Sequence, residues 1–466
     1  MNCLQVGFLN SMLVLASSVL IPANIVAQTY TDLHDFNCAT EGCGPTNTSL
    51  LAQGRDGNLY GTASGGGTYG YGTIFKATLK GPITTLHNFD GTDGYYPQGG
   101  LVLGADGNFY GTAQLGLTSA GTLFRVTPSG VFTVLHAFAG GLTDGALPMT
   151  APTLANDGDY YGVTGVDEGT NDGISYKYSP SSGYTILSTF SNNIPGSAFF
   201  APLIQGIDGN FYSTTYNGGT TGAGTVYSLS PTGVVNVIYN FDTLHGGWGY
   251  APVVQDSEGN LYGTETEGGT QGGGVVFGVT LSGSVKTLYN FIDYCGGESY
   301  GCMPSGGLVL GSDGNLYGST YRGGLNNDGV SFKITRTGVY TQLATLNGTD
   351  GAAIESTPIQ HTNGTIYGIA STGGAYGGGV LYSLNVGLKP FVSLLFSSGK
   401  VGTPVGILGQ GFGTVQSVSF NGTAAKFKVV SNSYLVAMIP SGATSGFVTV
   451  KTSTKTFRSN KQFVIQ

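Results

Sequence analysis

The sequence predicts an all-β chain: a seven-bladed β-propeller closed by an N-terminal strand, followed by a small immunoglobulin-like β-sandwich. Three observations predict it. A short phrase recurs seven times at a period of 50 to 55 residues. The strand missing from the last repeat stands at the other end of the chain. The composition suits many short strands joined by tight turns: 82 of 466 residues are Gly, only 9% are charged, and 11% are aromatic.

The phrase is Asp56-Gly-Asn-Leu-Tyr-Gly-Thr62, which returns as Asp106-Gly-Asn-Phe-Tyr-Gly-Thr112. It recurs at Asp157, Asp208, Glu258 and Asp313, and as Asn-Gly-Thr-Ile-Tyr from Asn363. A fixed period of this length marks a propeller or a solenoid. Each unit divides into four strands, in the second unit Leu101–Leu103, Asn108–Ala113, Gly121–Val126 and Val131–Phe138. The first two are joined by an Asp-Gly turn, where Gly reaches positive φ without cost. The last two are joined by Thr-Pro-Ser-Gly, again turn-forming residues. Four strands make one blade.

The seventh unit stops after its third strand, Gly379–Leu384. Tyr30-Thr-Asp-Leu-His-Asp-Phe36 matches the fourth strands Thr85–Phe89 and Val134–Phe138. A chain that supplies its last blade from its own N-terminus closes a ring and removes open sheet edges, which a solenoid would not need.

The domains expected are a signal peptide at 1–27, the propeller at 28–387 and the sandwich at 388–466. The run Val6–Leu20 is apolar and too short for a confident membrane span, and Ile25-Val26-Ala27 offers a small-residue cleavage site, although no basic residue precedes it. No membrane span is expected after cleavage. In an oxidising compartment the short-range couples Cys38–Cys43 and Cys295–Cys302 are the economical disulfides.

The recurring Tyr60, Tyr110, Tyr161, Tyr212, Tyr262, Tyr317 and Tyr367 read as packing between blades, each hydroxyl finding a local partner. His34, His87 and His136 share their repeat position with Tyr239 and Tyr289, so that position wants a flat ring rather than a metal ligand. The Asp-Gly-Asn turns supply one acid each, too few for calcium. No residue is singled out as catalytic, and no metal or cofactor is expected. The long, variable connections all fall on one face, where rigid scaffolds usually place binding. Those loops carry Tyr95, Tyr96, Phe199, Phe200, Trp248, Tyr250 and Tyr300, flat rings suited to a glycan or an extended protein segment, or to packing the loops together. Glu265 replaces a small residue near the channel, but glycoside hydrolysis needs two opposed carboxylates.

From Leu388 the pattern changes to short alternating strands over 79 residues. This segment holds eight Lys or Arg and no acid, giving +8; the remainder holds nine basic and all 25 acidic residues, giving −16. Such asymmetry suggests contact with an anionic surface or docking on the chain's own propeller, and the overall acidity argues against nucleic acid.

The unit D-G-N-L-Y-G-T, then G-G, G-T-x-F and T-x-L-x-x-F, resembles the GloVer tandem repeats of bacterial surface proteins over residues 30–387. The segment with Ile407-Leu-Gly-Gln-Gly-Phe412, Val418-Ser-Phe-Asn-Gly-Thr423 and Pro440-Ser-Gly-Ala resembles an IPT/TIG domain. The resemblance implies export and surface display, and no catalytic residues. The chain ends at Phe463-Val-Ile-Gln466 with no sorting motif, which favours release or non-covalent attachment. The reading is therefore a secreted or cell-surface bacterial protein that binds an extracellular glycan or surface protein without enzymatic action. The alternatives are a polysaccharide-acting enzyme using the channel, or a passive spacer.

Overall fold

The Asp-Gly turns and alternating strands fold as their local chemistry dictates. The computed structural model describes residues 28–44, 50–116, 120–165, 173–190, 196, 199–293, 295 and 301–466. The expected signal peptide lies outside them. Among the described residues, the repeat units form seven four-stranded antiparallel sheets, and the C-terminal segment forms two more. The second unit's strands run Val102–Leu103, Phe109–Ala113, Thr122–Val126 and Phe132–Ala137, within a residue or two of expectation. The second and third strands are almost wholly buried and the fourth alternates with solvent. No helix among the described residues is long and apolar enough to cross a membrane.

The turn residues explain the recurring tyrosines. Tyr60 donates its hydroxyl to Asp56 at 2.9 Å, Tyr110 to Asp106 at 3.0 Å and Tyr161 to Asp157 at 2.7 Å. The same Asp56 accepts from the Asn58 backbone and side chain. Each Asp is thus engaged within its own unit, Asp56 also by Lys76 at 2.7 Å. Tyr60 also stacks on Phe109 of the next sheet, ring centres 4.0 Å apart. In the fifth unit Glu258 occupies the Asp slot of the phrase, and Asp256 takes over the role, accepting from Tyr262 at 3.0 Å and from Arg336 of the following sheet.

The N-terminal strand, Thr29–Asp35, is the fourth strand of the last sheet, beside Val380–Asn385. Its register shifts between Asp32 and His34. Equivalent shifts fall between Ile74 and Phe75, Leu123 and Phe124, and Ser331 and Phe332 of the other units. The strand therefore carries the repeat's own β-bulge. The first and last sheets also meet directly. Leu50 bridges to both Gly100 and Thr357, in the second and seventh units. Gln53 accepts from the Thr362 backbone at 3.0 Å, just as Gln255 accepts from Ile207 and Gln360 from Ser312 between consecutive sheets. Phe36, Leu51, Leu59 and Phe75 share one apolar cluster with Tyr367, Ile369 and Leu381.

The C-terminal domain is a sandwich of a four- and a five-stranded sheet around Val405, Ile407, Phe412, Val418, Leu435, Val450 and Phe463. It docks on the tight-turn face of the repeat body. The Arg55 guanidinium lies over the Tyr434 ring at 4.3 Å, and Ser431 and Ser433 donate to the Arg55 carbonyl at 2.8 Å each. Asn156 accepts from the Ser397 backbone at 2.7 Å, and Tyr434 and Leu408 join a cluster containing Tyr60 and Phe109. Tyr434→Ala is expected to weaken this docking by about 3 kcal/mol, the usual loss for a large aromatic. Faster proteolysis between the domains, with the sandwich itself intact, would show it.

Candidate functional site

With the tight-turn face occupied, the long-loop face is the one left to solvent, and its backbone is built to one plan. Tyr96, Leu147, Trp248, Met303 and Ala353 hold one repeat position, with φ between 52° and 59°. Left-handed backbone is costly for such residues, and it persists where surroundings hold it. Here each backbone N–H is anchored to the preceding unit: Tyr96 to the Tyr71 carbonyl at 3.1 Å, Trp248 to Ala223 at 3.0 Å and Met303 to Gly273 at 2.9 Å. The backbone is fixed while the side chain varies.

Two residues further on, just before the innermost strands, stand Gln98, Met149, Phe200, Tyr250, Ser305 and Glu355. Phe200, Tyr216 and Tyr250 form a mutual cluster, with ring centres 5.5, 5.2 and 4.7 Å apart. Gln98 donates to Gln114 at 2.8 Å. Burial pushes the Glu355 carboxyl up to about 7, against a smaller lowering effect of Ser371. Burial also raises the Tyr250 hydroxyl, helped by Tyr216 and by the charges of Glu267 and Glu355. A second group lies nearer the first unit, with Tyr71, Tyr95 and Tyr96 in sequence at 5.5 and 5.3 Å; Tyr71 and Tyr96 are exposed.

Burial divides the sequence candidates. Tyr95, Phe200, Trp248 and Tyr250 are part-buried and Tyr96 is exposed. Phe199 instead packs inward against Phe190 and Tyr227, which removes it from the set. Glu265 is also corrected: it is fully buried, no side-chain donor reaches either carboxylate oxygen, and burial raises its pKa well above the usual carboxylate range. Its carboxyl fills space left by Gly249, where a Cβ would approach Oε1 to 2.7 Å. Other units have Pro97, Pro148 or Pro304 there. Tyr300 lies outside the described residues. Tyr216 and Glu355 were missed: Tyr216 recurs only once, as Tyr321, and Glu355 not at all, so only their register beside Gln114 and Gln98 could have drawn attention to them.

The cysteines and histidines settle by geometry. Cys295 and Cys302 are bridged, whereas Cys38 and Cys43 are free thiols, correcting the expectation of a second bridge. Burial, with Cys38 beside it, pushes the Cys43 thiol up to about 12. His34, His87, His136 and His245 each pair with a loop acid, Glu41, Asp93, Asp144 and Asp242, at 2.7 to 2.9 Å. The first three tie loops to outer strands, and the His245–Asp242 pair lies within one loop. Of the nine basic residues in the repeat body, only Arg322 lies in a long loop; the others sit on strands or tight turns. The loop face is correspondingly acidic.

Fold and site together define an all-β repeat protein with a C-terminal immunoglobulin-like module. The chain belongs to the Gloeobacter/Verrucomicrobia repeat family, which matches residues 18–176 and 150–382, and it carries an IPT/TIG domain at 390–465. No curated protein matches it. Among solved structures it is similar to a protein of unknown function from Bacteroides thetaiotaomicron VPI-5482, with TM-score 0.41 and 14% identity over 77% of this chain and 76% of that one. It is also similar to a putative 6-phosphogluconolactonase from Bacteroides fragilis NCTC 9343, with TM-score 0.44 and 15% identity over 70% of this chain and 94% of that one. Neither likeness bears on function.

Proposed function

We propose that the seven sheets are the blades of one closed propeller, and that its loop face makes this an extracellular or cell-surface glycan-binding protein. The recurring bulge in Thr29–Asp35 and the repeat-like bond between Gln53 and Thr362 support closure. The repeat family, the IPT/TIG domain and the Cys295–Cys302 bridge support an extracellular setting. The observation that carries binding is the Phe200–Tyr216–Tyr250 cluster, part-buried rings at the inner rim of a face whose backbone is clamped. Flat rings beside hydrogen-bonding groups suit sugar faces. The acidic surroundings favour neutral or amine-bearing glycans over acidic ones.

The test is a glycan array with residues 28–466, alongside Tyr250→Ala and Trp248→Ala. Selective binding that weakens at least about tenfold in Tyr250→Ala, a loss of about 1.4 kcal/mol, is expected. A blank array, or binding untouched by both changes, overturns the reading. A second reading, hydrolysis of a bound polysaccharide, is favoured by Glu355, whose carboxyl near 7 suits a general acid at neutral pH. Glu355→Gln would then abolish release of reducing ends while sparing binding; absence of any release from the wild-type protein removes that reading.

A further inference from the structure

The docked C-terminal domain creates a second site, away from the loop face. The first strands of the repeat units surround a chamber of about 490 Å³ on the ring axis, floored by the docked domain. Leu51, Leu101, Leu308 and Ile359 line its walls, and Leu394 lines its floor. Among the residues lining it, Lys461 alone is charged. A neighbouring cleft of about 770 Å³ between the two domains shares Leu310, Phe391, Ser397, Asn460 and Lys461 with the chamber, so one lysine stands where the two spaces meet.

Lys461 is exposed, and its side chain borders both the chamber and the cleft between the domains. No carboxylate among the described residues lies within ion-pair distance of its ammonium. The C-terminal domain contains no acid at all, and of the acids bordering the cleft, Asp256 is engaged by Arg336 and Asp313 by Asn315 and Tyr317. An ammonium with no carboxylate in reach is free to pair with an incoming anion. A single positive charge against aliphatic walls matches a monoanion with an apolar body. A phosphate or sulfate would need several converging donors; Arg336, Lys389 and Arg458 line the adjoining cleft, but Lys461 alone reaches the chamber.

We propose that the axial chamber binds an aliphatic carboxylate, its chain against the leucine-lined wall and its carboxylate on Lys461, with entry through the interdomain cleft. The site is independent of the loop face, so either assignment can fail alone. The volume is within the range of small-molecule pockets.

The experiment titrates sodium decanoate, below its micelle threshold, into residues 28–466 by calorimetry, with decanol as the uncharged comparison. Decanoate is expected to bind one-to-one and more tightly than decanol. Lys461→Met keeps the length of the stem and is expected to weaken decanoate at least tenfold without changing decanol. Lys455→Met, at a lysine of the same domain that lines neither space, is expected to change neither. Should Lys461→Met fail to fold, Lys461→Gln takes its place. Wild-type protein should also take up protons on binding at alkaline pH, and the Lys461 variant should not. No decanoate binding, equal binding by the Lys461 variant, or an equal loss in Lys455→Met overturns the proposal.

Discussion

Deleting Tyr30–Phe36 is expected to lower the melting temperature by roughly 10 °C or more, a loss of several kcal/mol in a protein whose net stability is of order 5–15 kcal/mol. The strand pairs with Val380–Asn385 along its length. Phe36 is fully buried, and its loss alone is worth about 3–5 kcal/mol by analogy with core phenylalanines. Tyr30 stacks on Tyr382 at 5.0 Å and donates to the Asp350 carbonyl at 2.7 Å. Deletion also exposes the hydrogen-bonding edge of the last sheet, so aggregation should accompany the lower midpoint. Phe36→Ala should fall between wild type and the deletion. Calorimetry showing an unchanged transition in the truncated chain would remove the case for closure.

Glu265→Gln is expected to stabilise the protein at pH 8 and to leave it nearly unchanged at pH 4. The folded-state pKa is raised by burial. Below the unfolded value both states hold the proton, and the carboxyl adds no pH dependence. As pH rises above that value the unfolded chain ionises while the folded chain does not, so stability is lost at about 1.4 kcal/mol per pH unit. The loss stops once pH passes the folded-state pKa. Glutamine has nearly the same shape and no charge, so the variant's melting temperature should lack this alkaline decline. Parallel pH profiles for the two proteins would show that Glu265 ionises as freely folded as unfolded.

What the sequence made legible was local. The Gly turn and the Tyr three residues beyond it are short-range chemistry repeated seven times, and the Leu-His-x-Phe strand returns three times, so each copy checks the others. The repeat could also mislead, as at Glu258, where the phrase matched but Asp256 does the bonding. The site was less legible. Tyr216 recurs only as Tyr321 and Glu355 not at all, and Tyr216 meets its ring partners across units, so no period announces them. Phe199 and Phe200 are adjacent aromatics, yet one turns inward, which composition does not tell. The charge asymmetry pointed to docking as one option. Docking, however, is made by Arg55 on Tyr434 and by serine and asparagine hydrogen bonds, not by the Lys-rich surface meeting Asp turns.

The pairing of Tyr30 with Leu384 has a consequence in time. The strand that emerges first from the ribosome must wait for its partner until nearly all of the repeat body has been made, roughly 20 to 70 s at ordinary elongation rates. During that interval the early sheets can form, but the nascent chain cannot reach its final topology. A sequence that delays its own completion in this way stays threadable while it is being synthesised. The unpaired segment meanwhile carries Asp32, His34 and Asp35, polar groups that discourage it from pairing with a neighbouring chain.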